Sequence, residues 1–298
     1  MADPTTDAPP ELVGQAAVDG LVRLLDLERI EQDIFRGVSP KDRWQRVFGG
    51  QVAGQALVAA GRTVDPDRHV HSLHGYFIRP GDPRVPIVYE VDRVRDGRSF
   101  STRRVIAVQH GKAIFTLSAS FQLVQDGIDH DTERPDAPPP DALPTFADRL
   151  RSSEWAGEFY RTRPRPIDVR YVDPPPWERA DAGPRDGLFR VWMRADGELP
   201  DDPLLHVCVL TFASDMTLLD SVLARQGLAN LIDGRISMAS LDHAMWFERP
   251  FRADDWLLYS MHSPSASGGR GLASGRFYDS SGRQVVSVVQ EGMIRVRG

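Results

Sequence analysis

Asp242-His243 is the pair in this sequence closest in type to an acid–base couple, a carboxylate beside an imidazole that titrates near neutrality. Neighbours on a strand point to opposite faces, so the two cannot easily share one substrate, and a structural role is expected. His69, His71 and His74 have metal-ligand chemistry. His69 and His71 would share one strand face while His74 points away, and no further ligand is apparent, so no metal is expected. Ser214-Asp215 opens an apolar run that includes Met216, Leu218, Leu219, Val222 and Leu223 and stops at Gly227. Read alone, these residues are a helix N-cap and its glycine stop. Ser240 alone is an ordinary strand serine. Gln290, between valines and Glu291-Gly292, would need hydrogen-bond partners if buried.

Other chemistry is excluded by what is missing. Cys208 is the only cysteine, so neither an intrachain disulfide nor a cysteine zinc cluster can form. Within Leu204–Leu210 it reads as a small buried hydrophobe. There is no Walker loop, dinucleotide fingerprint, Gly-x-Ser-x-Gly elbow or zinc-protease motif, so no cofactor is expected and a serine hydrolase lacks support.

The elements that must position such residues fall into two similar halves. The 298 residues suit one large domain or two of roughly 150. Apolar residues at 41% and charged residues at 26% exclude wholesale disorder. With 36 basic against 42 acidic residues the net charge is −6, which argues against a general grip on nucleic acid. Residues 135–176 hold ten of the 23 prolines, including Pro138-Pro139-Pro140 and Pro174-Pro175-Pro176. Lost amide donors prevent regular sheet throughout, so a linker is expected, with a short helix around Phe146–Tyr160.

On either side, Phe77-Ile78-Arg79-Pro80 matches Phe247-Glu248-Arg249-Pro250, and Asp96-Gly97-Arg98-Ser99-Phe100 matches Ser267-Gly268-Gly269-Arg270-Gly271. The turns His110-Gly111-Lys112 and Ser281-Gly282-Arg283 keep the same spacing of 170 or 171 residues. One apolar helix precedes the strands of each half, Gly50–Ala60 in the first and the run from Ser214 to Gly227 in the second. A helix apolar nearly all round is buried, so each half predicts a sheet wrapped around a central helix, and the whole a pseudo-dimer.

At this point the sequence resembles the acyl-CoA thioesterase II family. The matching stretches are Val47-Phe48-Gly49-Gly50-Gln51-Val52-Ala53-Gly54-Gln55-Ala56 and Val70-His71-Ser72-Leu73-His74-Gly75-Tyr76-Phe77-Ile78-Arg79-Pro80-Gly81-Asp82. The second half adds Ala213-Ser214-Asp215, Ser240-Leu241-Asp242-His243-Ala244-Met245-Trp246-Phe247 and Val289-Gln290-Glu291-Gly292. The resemblance implies an α+β double hotdog: two antiparallel sheets, each around a central helix, forming an intrachain pseudo-dimer. Its units would be an N-terminal hotdog over 1–125, a proline-rich linker over 126–185 and a C-terminal hotdog over 186–298.

The resemblance further implies hydrolysis of fatty acyl-CoA by a water oriented by Asp215, Ser240 and Gln290. Serine stands where some relatives have threonine, and either hydroxyl can serve. Amides at the expected helix start would hold Asp215 ionised and lower its basicity. The first half shows Gly49 or Gly50 and Ala119 or Ser120 at the facing positions, so the second half is expected to carry the site. Arg98 and Arg270, at matching places in the two halves, are weak candidates for CoA phosphate contacts. The alternatives are an enoyl-CoA hydratase of the same build, which would need an Asp–His pair at convincing spacing, and a non-catalytic acyl-CoA carrier.

No membrane partner is expected, because no apolar stretch approaches a bilayer-spanning length. The opening MADPTTDAPPELVGQ has no apolar core and the last residues, Arg-Val-Arg-Gly, are no peroxisomal address, so a cytoplasmic protein is expected. A homo-oligomer, dimer or tetramer, is expected from the resemblance.

Overall fold

The computed structural model describes residues 13–40, 46–151, 163–178, 183–184, 187–228 and 236–296. Among them, thirteen strands form one sheet in which every pairing is antiparallel. The first half contributes β1 (Glu28–Glu31), β2 (Ile34–Gly37), β3 (Arg68–Phe77), β4 (Ile87–Asp96), β5 (Phe100–Gln109) and β6 (Lys112–Leu123). The second contributes β7 (Ile167–Tyr171), β8 (Phe189–Ala195), β9 (Ile236–Ser240), β10 (Asp242–Phe247), β11 (Leu257–Ser267), β12 (Arg270–Tyr278) and β13 (Gln284–Val296).

The strand order is β1-β2-β4-β5-β6-β3-β10-β13-β12-β11-β8-β7, with β9 added against β13. That order reads as two copies of one unit joined back to back at β3 and β10. Register gives the symmetry a physical centre. Ala244 lies opposite His74, its equivalent at a spacing of 170, while His243 faces Gly75 and Met245 faces Leu73. A two-fold relation between the halves therefore passes through this pair. The expected two sheets are continuous with each other, because β3 and β10 satisfy each other's edges.

Among the described residues the α-helices are α1 (Gly14–Leu25), α2 (Gly49–Gly61), α3 (Phe146–Arg151), α4 (Pro203–Ser214) and α5 (Asp220–Gln226). Residues Gly50 to Ala60 are all buried, so α2 is the expected central helix, facing β4, β5 and β6. It runs along α4 in close contact. A side chain on Gly54 would place its Cβ 3.2 Å from the carbonyl oxygen of Cys208, so the small residue sets the helix separation. Cys208 itself is fully buried, which raises its thiol pKa.

The second half departs from expectation. Its first helix starts at Pro203, after an Asp202 side chain that accepts from the amides of Leu204 and Leu205. It ends at Ser214, and Asp215 is its C-cap rather than an N-cap. A turn follows, then α5, closed by Gly227 in the left-handed conformation. The true start signal is Asp202-Pro203, a capping acid before a proline at the first helical position. The near-continuous apolar run behind it shows no amphipathic period, so the helix is hard to see.

The proline-rich segment is partly ordered structure. It holds α3 and β7, and β7 pairs with β8 from Ile167↔Ala195 to Tyr171↔Val191. Residues 152–160 of the expected helix lie outside the described residues. Upstream of α3, the segment straps the outside of the second half. Trp192 Nε1 donates to the Pro138 carbonyl at 2.9 Å, and Arg249 and Arg283 both bond Asp129.

Candidate active site

Three side chains far apart in sequence meet at Asp215. The Ser240 hydroxyl donates to Asp215 Oδ1 at 3.0 Å, and Gln290 Nε2 donates to the same oxygen at 2.6 Å. The amide of Gly50, in the first turn of α2, also hydrogen-bonds Asp215. Ser240 ends β9, directly across from Gly292, and Gln290 lies two residues earlier on β13. Leu241 breaks the strand between β9 and β10. Its amide donates to the Glu291 carbonyl and its own carbonyl accepts from Phe77, both at 2.9 Å, which pins Ser240 in place.

Burial pushes the Asp215 carboxyl up to about 6, against the hydrogen bonds from Gln290, Ser240 and Gly50, which favour its charged form. This corrects the expectation of a carboxylate held low by its own helix start. Asp215 follows the carbonyl end of α4, where an anion gains nothing from the helix dipole. The amide that does favour its charge comes from α2, in the other half. Gln290 is fully buried, and among the described residues its Oε1 has no partner. A buried acceptor without a donor costs about 1–3 kcal/mol, and the fold carries that to keep Nε2 on Asp215.

Asp215 and Ser240 line a cavity of about 880 Å³ between the halves. One wall comes from the first half, with Arg46, Val47, Gly49, Phe77, Arg79 and Ile114. The other comes from the second, with Met216, Leu219, Asp220, Ile236 and Met238. That size and mixed lining fit a ligand site.

The remaining candidates lie elsewhere. Asp242 and His243 point to opposite faces, as expected for strand neighbours. Asp242 accepts from the Glu291 amide at 2.7 Å. Ser214 Oγ donates to the Thr211 carbonyl and so accepts from His243 Nε2 at 2.8 Å. Burial lowers His243 to about 4, leaving it neutral, and neither residue lines the cavity. No acid–base dyad faces a substrate there, which removes the support for hydration chemistry. His71 hydrogen-bonds Ser120 and His74 packs edge-on against Trp246. Arg98 sits in the β4–β5 turn, and Arg270 is bonded to Glu291 at 3.0 Å. Neither arginine is in the cavity lining.

Comparison with known proteins identifies the fold and the family. A family model described as acyl-CoA thioesterase matches residues 166–293, and one for the acyl-CoA thioesterase N-terminal domain matches 40–122. The chain is 42% identical to the mouse acyl-coenzyme A thioesterase 8, covering 92% of this chain and 88% of that one. The chain belongs to the acyl-CoA thioesterase family. It also resembles the acyl-CoA thioesterase II TesB2 of Mycobacterium marinum, with a TM-score of 0.76, 46% identity, and coverage of 94% and 98%. A hot dog fold protein of Alicyclobacillus acidocaldarius, 20% identical, superposes with a TM-score of 0.74 over 94% of this chain and 99% of its own. The architecture is the double hotdog.

For this acyl-CoA thioesterase family member, sequence reading missed the first-half wall of the cavity. Its signal was present: Val47-Phe48-Gly49-Gly50 was a landmark of the family, and Phe77-Ile78-Arg79-Pro80 one of both the family and the repeat, neither with a role in ligand binding assigned to it. Gly49 shows why glycine stands there. A Cβ on it would lie 2.6 Å from Asp215 Oδ2 and 3.0 Å from the Phe77 ring. Gly49→Ala is therefore expected to reduce turnover about 100-fold, by displacing the carboxylate, while the thermal melt changes little. Steady-state thiol release beside calorimetry checks this.

Proposed function

We propose that the chain hydrolyses fatty acyl-CoA to a free acid and CoA, with Asp215 as general base and Ser240 and Gln290 as its positioning donors. The observation that carries this is the Asp215 carboxylate on a cavity wall, with Oδ1 held by two side-chain donors. In this reading the attacking water takes a lone pair of Oδ2, the oxygen next to Gly49 at the start of α2. Ser240 spends its proton on the carboxylate, which suits an orienting role better than a nucleophilic one.

In the proposed reaction a water hydrogen-bonded to Oδ2 attacks the thioester carbon and passes a proton to Asp215. The tetrahedral intermediate then expels the thiolate, the C–S bond breaks, and Asp215 returns the proton to sulfur. General-base help of this kind is worth about 10²–10⁴-fold. A carboxyl raised to about 6 is largely ionised at neutral pH yet basic enough to take the proton.

Charge and apolarity give the substrate a direction. Arg46 and Arg79 stand on neighbouring loops, tied by the bond from the Val47 amide to the Gly81 carbonyl at 2.9 Å. That arm suits the phosphates of CoA. The acyl chain then runs the other way, between Met216 and Leu219 and the strand β9, with its Ile236 and Met238.

Thiol release from an acyl-CoA series, from acetyl to palmitoyl, tests the reading directly. Arg46→Ala and Arg79→Ala are each expected to raise KM for acyl-CoA about tenfold with kcat nearly unchanged. Thioesters of pantetheine, which lack the nucleotide phosphates, should be hydrolysed equally by wild type and both variants. An equal loss on the two substrate classes would overturn the assignment of the arginine arm. Ligand-induced melting shifts without thiol release would leave a carrier instead of an enzyme.

A further inference from the structure

Among the described residues, Asp220 is the one acid on the acyl side of the cavity that the proposed mechanism does not use. It begins α5, five residues after Asp215, and shares its wall with Met216, Leu219, Ile236 and Met238. Its helix neighbours are committed to the sheet. Leu219 packs so closely on β13 that a Cβ on Gly292 would lie 2.5 Å from it, and Val222 stands 2.4 Å from the equivalent point on Gly271 of β12. Asp220 itself lines the cavity and is only partly exposed. Among the described residues its carboxyl has no hydrogen-bond donor and no cation beside it, and burial alone pushes it up to about 7.

A methylene chain laid against such a group removes its water and returns no hydrogen bond. A hydroxyl on the chain supplies a donor to the carboxylate and an acceptor to the carboxylic acid, so it satisfies Asp220 in either protonation state. We infer that Asp220 is a specificity-determining residue, favouring acyl-CoA whose acyl chain bears a hydroxyl group over the unsubstituted chain of equal length. The inference rests on the thioesterase reading and on the acyl chain lying along α5 and β9.

The test is kcat/KM for thiol release by the full-length chain from matched pairs of plain and hydroxylated acyl-CoA, the hydroxyl moved stepwise along the chain. Wild type should prefer one positional isomer by about tenfold or more. Asp220→Leu should bring that ratio to about one, chiefly by improving turnover of the plain chain, while Asp220→Asn, which keeps an acceptor, retains most of it. Thermal melts confirm that both variants fold, and Asp220→Ala, which also removes the acceptor, takes the place of the Leu variant with the same expected outcome if that one does not fold. A wild type without preference for any isomer, or a preference that survives in Asp220→Leu, overturns the inference while leaving the thioesterase intact. Absence of thiol release from every substrate would sink the thioesterase reading and this one with it.

Discussion

Asp215→Asn is expected to lower thiol release from acyl-CoA on the order of 10³-fold while making the protein more stable at neutral pH. The activity loss follows from removing the carboxylate that Ser240, Gln290 and the Gly50 amide converge on. Asparagine keeps the acceptor oxygen for those donors but cannot take a proton from water. The stability gain follows from the sign of the shift. The folded state holds this carboxyl at about 6, against an ordinary value of 3.8.

Below pH about 4 the group is protonated in the folded and unfolded states alike, and its ionisation has no effect on stability. As pH rises toward 6 the unfolded chain sheds the proton first, and folding is increasingly penalised. Above about 6 the full penalty persists, with an upper bound of about 3 kcal/mol. Melts of wild type and Asp215→Asn across that range should therefore diverge as pH rises, the variant being the more stable. Equal melts at neutral pH would show that the carboxylate is better solvated than its burial indicates. Unchanged thiol release would remove Asp215 from the chemistry.

The second large effect belongs to Gln290. Gln290→Ala is expected to reduce kcat about 100-fold and to move the acid limb of the pH–rate profile upward. The base must be ionised, so wild-type activity should rise with pH through about 6 and then level off. Gln290 donates at 2.6 Å to Asp215 Oδ1 and favours its charged form. Without that bond the carboxyl holds its proton to higher pH, so the limb shifts right. A purely structural loss would lower the plateau and leave the limb where it is.

Much of the architecture was legible because it was written twice. Landmarks such as Phe77 and Phe247 keep one spacing because each copy must thread the same strands around a helix, and the pairing of His74 with Ala244 is that symmetry made physical. The buried character of α2 was equally visible, since Gly50–Ala60 offers almost no polar face to water. The start of α4 was not. Its capping Asp202 and Pro203 precede a run apolar on every side, and such a run is as consistent with a strand as with a buried helix.

Sequence alone supplied the residue types of the proposed site and their order, through Asp215, Ser240 and Gln290 in stretches resembling one family. It also determined that the first half lacks the acid, because Gly49 and Gly50 are fixed by identity. Only the tertiary structure decided that those glycines nevertheless belong to the site. The halves bring the start of α2 against the end of α4, so an amide from one copy reaches a carboxylate from the other. Only the structure decided the basicity of Asp215, since desolvation depends on what surrounds a group in space. The same holds for the arginines. Arg98 and Arg270 match in sequence but sit at hairpins, whereas Arg46 and Arg79 line the cavity, and Arg249, the repeat partner of Arg79, is bonded to Asp129 on the outside of the second half. Repetition constrains folding of both copies alike, while a ligand needs only the one place where the copies differ.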